Sequence, residues 1–203
     1  LRRSRGLGDV YKRQDLGISG KTALVSASSA GLGFASAQAL AEAGCKTVIS
    51  GRNEERLMHA ANKIPNSIPV IADVSTVKGS QALVQDAKSQ LGTNIDILIT
   101  NAGGPPAGTF ASTDVDQYLT AIELNLMSVV AMCKETVPDM QEKKWGRVLA
   151  ITSISVRQPI PNIMLSNTAR AGVTGFLKTM ALETASDGAV SYTHLRAHET
   201  FAN

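Results

Sequence analysis

From Lys21 onward the chain alternates short runs of β-branched and aliphatic residues with longer segments whose apolar positions recur every three or four residues. TALVS, starting at Thr22, reads as a strand, and LGFASAQALAEAG, from Leu32 to Gly44, as an amphipathic helix that glycine stops. KTVIS is a second strand, EERLMHAANKI a helix and IPVIAD a third strand. VKGSQALVQDAKSQLG (helix) and IDILITNAG (strand) follow. A long helix then passes through AIELNLMSVVAMCKETVPDM, RVLAITS is a fifth strand, and a last helix runs from about Asn162 to Ala185. Strands separated by helix-length segments are joined as parallel crossovers, so the pattern predicts an α/β fold: a doubly wound parallel sheet with helices on both faces. No internal repeat or low-complexity linker interrupts it.

The two ends stand apart from this pattern. LRRSRGLGDVYKRQ, residues 1–14, has no apolar period, and the tail SYTHLRAHETFAN, residues 191–203, continues none. We therefore expect one domain over 15–190 between foreign-looking flanks, which resemble translated adapter sequence read through at both ends of a gene fragment. His194 and His198 are four apart, as on one face of a zinc-binding helix, but HLRAHE lacks the order of HExxH and no third ligand is near, so no metal site is expected. His59, among polar residues of a surface helix, is expected to be solvated.

Charge changes the picture little. The formal net charge is +3, yet Arg2, Arg3, Arg5, Lys12 and Arg13 against Asp9 put +4 into the first fourteen residues, so the body offers no basic surface for nucleic acid. No run is long enough to span a membrane, and the opening arginine pair lacks the apolar stretch of an export signal. Cys45 and Cys133 are isolated, neither a CxxC pair nor a disulfide framework. The expectation is a cytoplasmic protein with free thiols.

In an open parallel sheet the ligand crevice lies beyond the carboxyl ends of the strands. SASSAGLG follows the first strand and sets Gly31 and Gly33 at the mouth of a helix, where bare N–H groups and the helix dipole attract a pyrophosphate. The same spacing also fits a tight turn packed on the sheet; the placement between strand and helix favours the phosphate site. Here the sequence resembles the short-chain dehydrogenase/reductase family, whose motif is TGxxxGxG, with Ala27 in place of its first glycine. The resemblance spans about 15–189 and implies a Rossmann-type sheet. It implies too that this sheet is incomplete at its C-terminal edge, because DGAV only begins the family's sixth strand. A helical lid and a seventh strand would follow.

The resemblance places cofactor contacts at Ser26, Ser28, Gly31, Leu32 and Gly33, an adenine-contacting pair at Asp73 and Val74, and the NAG motif at Asn101, Ala102 and Gly103. The second strand ends in SGRN, without the carboxylate that holds a free ribose 2′-hydroxyl. Arg52 instead offers a cation for a 2′-phosphate, which favours NADP over NAD; pairing with Glu54 or Glu55 is the other reading of Arg52.

For the chemistry, the resemblance implies an Asn, Ser, Tyr and Lys set. Asn125 matches the first and Ser153 the second, with Ser155 as a neighbour able to substitute. The YxxxK pair falls on Ser166 and Arg170. The adjoining AGVTGF anchors that alignment, and no Tyr lies between Tyr118 and Tyr192. A serine hydroxyl is a far weaker acid than a phenol of pKa about 10 and reaches roughly 4 Å less, so a bridging water would be needed. Arg170 keeps a positive charge but, with a pKa above about 12, relays no proton. The loop GGPPAGTF, stiffened by Pro105 and Pro106, should border the crevice, and Arg157 is either a solvated loop residue or an anchor for an acidic substrate.

The expected function is NADP-dependent reduction of a small-molecule carbonyl by hydride transfer. The resemblance is to the 3-oxoacyl-carrier-protein reductase branch, with a non-standard proton donor and a homo-oligomer built through the helices containing Asn125 and Arg170. The alternative is a non-catalytic nucleotide-binding or oligomer-forming subunit of the same fold.

Overall fold

A computed structural model describes residues 15–194, with side chains described as far as Gly188. Strand β1 (Thr22–Val25) leads through a glycine turn into helix α1 (Gly31–Glu42), followed by β2 (Lys46–Gly51), α2 (Glu54–Ala61) and β3 (Ser67–Ile71). The second half runs α3 (Val77–Leu91), β4 (Ile97–Thr100), α4 (Val115–Ile122), α5 (Ser128–Glu142), β5 (Gly146–Ile151), α6 (Met164–Thr184) and β6 (Ala189–His194). The six strands form one sheet in the order β3-β2-β1-β4-β5-β6, and every pairing is parallel. The order reverses between β1 and β4, and the loops after those strands therefore splay apart to leave a crevice.

Alternate strand residues point to opposite faces, which yields two cores. Leu24, Val48 and Leu98 pack with Leu83 of α3 and Met132 of α5 on one face. Ala23, Val25 and Ile49 pack with Ala37 of α1 and Leu57 of α2 on the other. Both faces are covered, which explains why β1 and β4 are buried at every position and read as continuous apolar runs. Each fully buried leucine or isoleucine contributes about 1.5–3 kcal/mol.

Three local features depart from the sequence expectation. The first helix ends two residues before Gly44, which turns the chain at φ +90 with Ser19 Oγ only 2.6 Å from where a Cβ would sit. The long middle helix is not one α-helix, because a single π-helical turn (Glu123–Met127) separates α4 from α5. The sixth strand runs beyond DGAV: Ala189–His194 pairs residue for residue with Gly146–Ile151, and Ser191–His194 lie past the expected domain boundary at 190. A backbone ladder needs no hydrophobic period to form. The backbone of His194 belongs to this strand, and His198 lies outside the described residues. Among the described residues no helix is long and apolar enough to cross a membrane, and no group of three metal-ligating side chains gathers.

Cys45 and Cys133 are free and buried. Burial pushes the Cys133 thiol up to about 12. Asp96 sits at the amino end of β4, where burial alone would raise its carboxyl. The hydrogen bonds outweigh burial and hold it below the usual carboxylate range: Thr22 N and Oγ1 donate to Oδ2 at 3.1 Å each, and Lys143 Nζ lies 3.2 Å from Oδ1. A depressed carboxyl stabilises the fold above its unfolded-state value of about 3.9 and loses that contribution as pH falls through the lower folded value. Urea unfolding below about pH 4 should therefore show a steeper loss of stability in the wild type than in Asp96→Asn.

Candidate functional site

Beyond the carboxyl ends of β1 to β4 lies a cleft of about 490 Å³. Its floor is the turn after β1. Gly31 adopts φ +61, a conformation in which a side chain would be strained, and an added Cβ there would meet open space within 4 Å, so the backbone is bare toward the cleft. Gly33 has the opposite surroundings: a Cβ would lie 2.7 Å from Ala27 O, 2.8 Å from Asn101 Nδ2 and 2.9 Å from Ser28 Cα. The first glycine opens the backbone to a ligand, and the second lets α1 approach β1 and β4 closely.

Seven of the expected cofactor residues line this cleft: Gly31, Arg52, Asp73 and Val74, with Asn101, Ala102 and Gly103 on the facing wall. Four do not. Ser26 is fully buried, donating to Asn101 O (2.7 Å) and accepting from Asn101 N (2.8 Å). Ser28, also fully buried, donates to Val25 O (2.7 Å) and accepts from Ser50 N (3.0 Å). Both hydroxyls tie the turn to its neighbouring strands rather than face a ligand. Gly33 is a packing glycine, and Leu32, 41% exposed, is not among the residues lining the cleft.

The substituted motif position carries a cost. Ala27 sits at φ +46, the left-handed region that an L-residue enters at about 1–2 kcal/mol. The strain is held by Ala27 N donating to Ser50 Oγ (3.1 Å) and by Asn101 Nδ2 donating to Ala27 O (2.9 Å). Ala27→Gly should relieve it and raise the melting temperature by about 2–4 °C, measured by calorimetry. An unchanged or lowered value would show that the turn is unstrained.

At the far end of the cleft Arg52 Nε lies 3.9 Å from Asp73 Oδ1, so its partner is Asp73 and not Glu54 or Glu55. Sequence reading missed Arg56, which lines the same end. Asn53 caps α2 by accepting from Arg56 N (2.8 Å), which fixes Arg56 on the first turn, but a backbone cap says nothing of the side chain it carries, so the sequence alone does not single Arg56 out.

The near end of the cleft joins a second set of residues. Asn125 lies in the π turn, 3% exposed, and its Nδ2 donates to Gly103 O (2.8 Å), while its buried Oδ1 has no hydrogen-bond partner among the described residues. Such turns re-aim a side chain that a regular helix would place elsewhere. Asn125 shares a small cavity of about 10 Å³ with Asn101, Thr100 and Arg170. Arg170 Nη1 donates to Ile151 O (2.9 Å), bracing the end of β5. Ser153 Oγ accepts from Ser155 N (3.1 Å) at the start of a 3-10 turn packed on α6, the helix that carries Ser166. The Ser155 side chain itself is buried, and that of Ser166 is half-buried.

Between the loops after β4 and β5 a further cleft, about 620 Å³, is walled by Phe110, Pro159, Ile160, Pro161 and Met164. Gly108 N donates to Asn162 O (2.8 Å) and Met164 N to Gly108 O (3.2 Å), and these two bonds hold the loops together. Arg157 is exposed and lines neither of these two clefts, and His59 is exposed on α2.

Comparison with known proteins places the chain in a family. The family described as short chain dehydrogenase matches residues 21–195. Nodulation protein G of Azospirillum brasilense is 33% identical over 188 residues, covering 84% of this chain and 71% of that protein. A 3-oxoacyl-[acyl-carrier-protein] reductase of Rickettsia prowazekii is 30% identical, covering 84% of this chain and 69% of its own length. The chain spans only 58–63% of three other curated relatives. Among solved structures, L-sorbose reductase of Gluconobacter frateurii, in complex with NADPH and L-sorbose, superposes with a TM-score of 0.82 at 31% identity, covering 87% of this chain and 68% of that one.

Proposed function

Because this chain belongs to the short-chain dehydrogenase family, we propose that it is an NADP-dependent oxidoreductase that reduces a small ketone, with 3-oxoacyl thioesters as the first substrates to try. The observation that carries the proposal is the bond from Asn125 to Gly103 O. It joins a buried polar residue of the reaction end to the wall of the nucleotide cleft. The cleft suits the cofactor: bare backbone at Gly31, open space over Gly103 and Gly104, and two arginines at the far end. NADPH-bound L-sorbose reductase, similar in fold, supports the same choice of nucleotide.

When bound, the nicotinamide supplies hydride transfer. The chain's own task is to orient the carbonyl and deliver a proton to its oxygen. Ser153 Oγ already accepts from Ser155 N, which leaves its O–H to donate to that carbonyl oxygen. Ser166 delivers a proton through a bridging water, since its hydroxyl is short, and the Arg170 cation at the end of β5 favours negative charge developing nearby. The apolar cleft walled by Phe110 and Ile160 suits the hydrocarbon part of a ketone rather than a charged head group.

Self-association belongs to the same proposal. Val115 and Leu119 lie one helical turn apart on α4, 77% and 64% exposed, on the helix leading into Asn125. A cytoplasmic location is also proposed, from the two unpaired buried thiols.

The test starts from the full-length protein: NADPH binding by fluorescence, then NADPH consumption against simple ketones and 3-oxoacyl thioesters. Turnover that Ser153→Ala lowers by about 10²-fold or more supports the proposal. Binding without turnover on any substrate would replace it with the non-catalytic, nucleotide-binding reading.

A further inference from the structure

The far end of the nucleotide cleft holds two arginines and one nearby carboxylate, and the two cations are not equivalent. Arg52 is committed in part, because its Nε lies 3.9 Å from Asp73 Oδ1. Asp73 is fixed in turn, its Oδ1 accepting from Ser75 N at 3.0 Å. Arg56 stands on the first turn of α2, its backbone pinned by the Asn53 cap, and lines the same end of the cleft. Its guanidinium makes no hydrogen bond or ion pair among the described residues, although Glu54 and Glu55 precede it.

We propose that Arg56 is a specificity-determining residue of this site: its guanidinium binds the 2′-phosphomonoester of an adenine nucleotide, and it contributes more to selection for that phosphate than Arg52 does. The inference rests on the NADP reading above. A guanidinium offers five donors in a planar fork that matches phosphate oxygens. Arg56 brings them without an ion-pair partner among the described residues, whereas the charge of Arg52 is partly offset by Asp73, 3.9 Å from its Nε. That contact is exposed on both sides, 73% and 53%, so it is weak enough for Arg52 to join in, as the lesser partner. Asp73 would repel a phosphate if nothing offset it. With Arg56 present the cleft end keeps a net positive charge, and with Arg56 removed Arg52 and Asp73 cancel.

The experiment uses the full chain and two probes that lack the nicotinamide, adenosine 2′,5′-bisphosphate and 5′-AMP, each titrated by calorimetry. Arg56→Ala should weaken the bisphosphate by about tenfold or more and 5′-AMP by less than about twofold. Arg52→Ala should weaken the bisphosphate less than Arg56→Ala does, and Arg56→Lys should recover part of the loss. A melting curve for each variant separates binding from folding, and Arg56→Lys serves if the alanine variant melts early. The inference is overturned if Arg56→Ala leaves bisphosphate affinity unchanged, weakens both probes alike, or costs less than Arg52→Ala. A wild-type protein that binds 5′-AMP as tightly as the bisphosphate would instead overturn the NADP reading beneath it.

Discussion

Gly33→Ala is expected to abolish nucleotide binding and to cost the fold about 1–3 kcal/mol. The methyl would sit 2.7 Å from Ala27 O and 2.9 Å from Ser28 Cα, both backbone atoms that cannot swing aside. Its third neighbour, Asn101 Nδ2, is no more free, since it donates to Ala27 O at 2.9 Å and so ties the turn after β1 to the end of β4. Relief requires either breaking that tie or moving α1 off the sheet, and each removes the floor of the cleft. A melting curve and an NADPH titration check both halves of the expectation. Alanine at Gly175, on α6 and outside the lining of the cleft, is the control, because no heavy atom lies within 4 Å of a Cβ there. Gly33→Ala with wild-type melting and wild-type affinity would show that the cleft does not depend on this close approach.

Ser166→Tyr combined with Arg170→Lys is expected to raise turnover by about 10²-fold or more on a ketone the wild type already reduces. A phenol next to an ammonium is an acid of useful strength near neutral pH, and a serine hydroxyl beside a guanidinium is not. The two changes belong together. Arg170 donates to Ile151 O at 2.9 Å, and a shorter, single-headed lysine gives up that brace unless the new phenol takes part in its hydrogen bonding. The pH profile of kcat is the discriminating readout, since the double variant should gain a basic limb that the wild type lacks. If NADPH binding persists and neither turnover nor pH profile changes, then Ser166 and Arg170 do not occupy the donor's seat.

Much of the fold was legible in the sequence, because apolar periodicity records which side of each element is buried. β1, β2 and β5 fall where TALVS, KTVIS and RVLAITS put them, and the turn after β1 lies where its glycines predict. The pattern of landmarks also located the cleft. What it did not carry was the direction of individual side chains. Ser26 and Ser28 align with a cofactor motif, yet both point into the protein, because alignment preserves order along the chain and not the side of a turn that a hydroxyl faces. The π turn at Asn125 was invisible for a related reason: one extra residue in a helical turn leaves the apolar period almost intact while rotating the side chains that follow. Arg56 lay within an ordinary-looking surface helix, and only the cleft wall distinguishes it from Glu54 and Glu55.

The sequence by itself determined the order of strands and helices, the parallel sense of the sheet and the end of it that holds the site. Burial period and crossover length are properties of short, local stretches of chain. Tertiary structure decided which polar groups brace the cleft and which face it, through contacts between residues far apart in the chain. Ser26 to Asn101 spans 75 residues, and Asn125 to Gly103 spans 22. The partner of Arg52, the strain at Ala27 and the pairing of β6 likewise exist only once the elements have packed, because each is set by a neighbouring element and not by the residues alongside it.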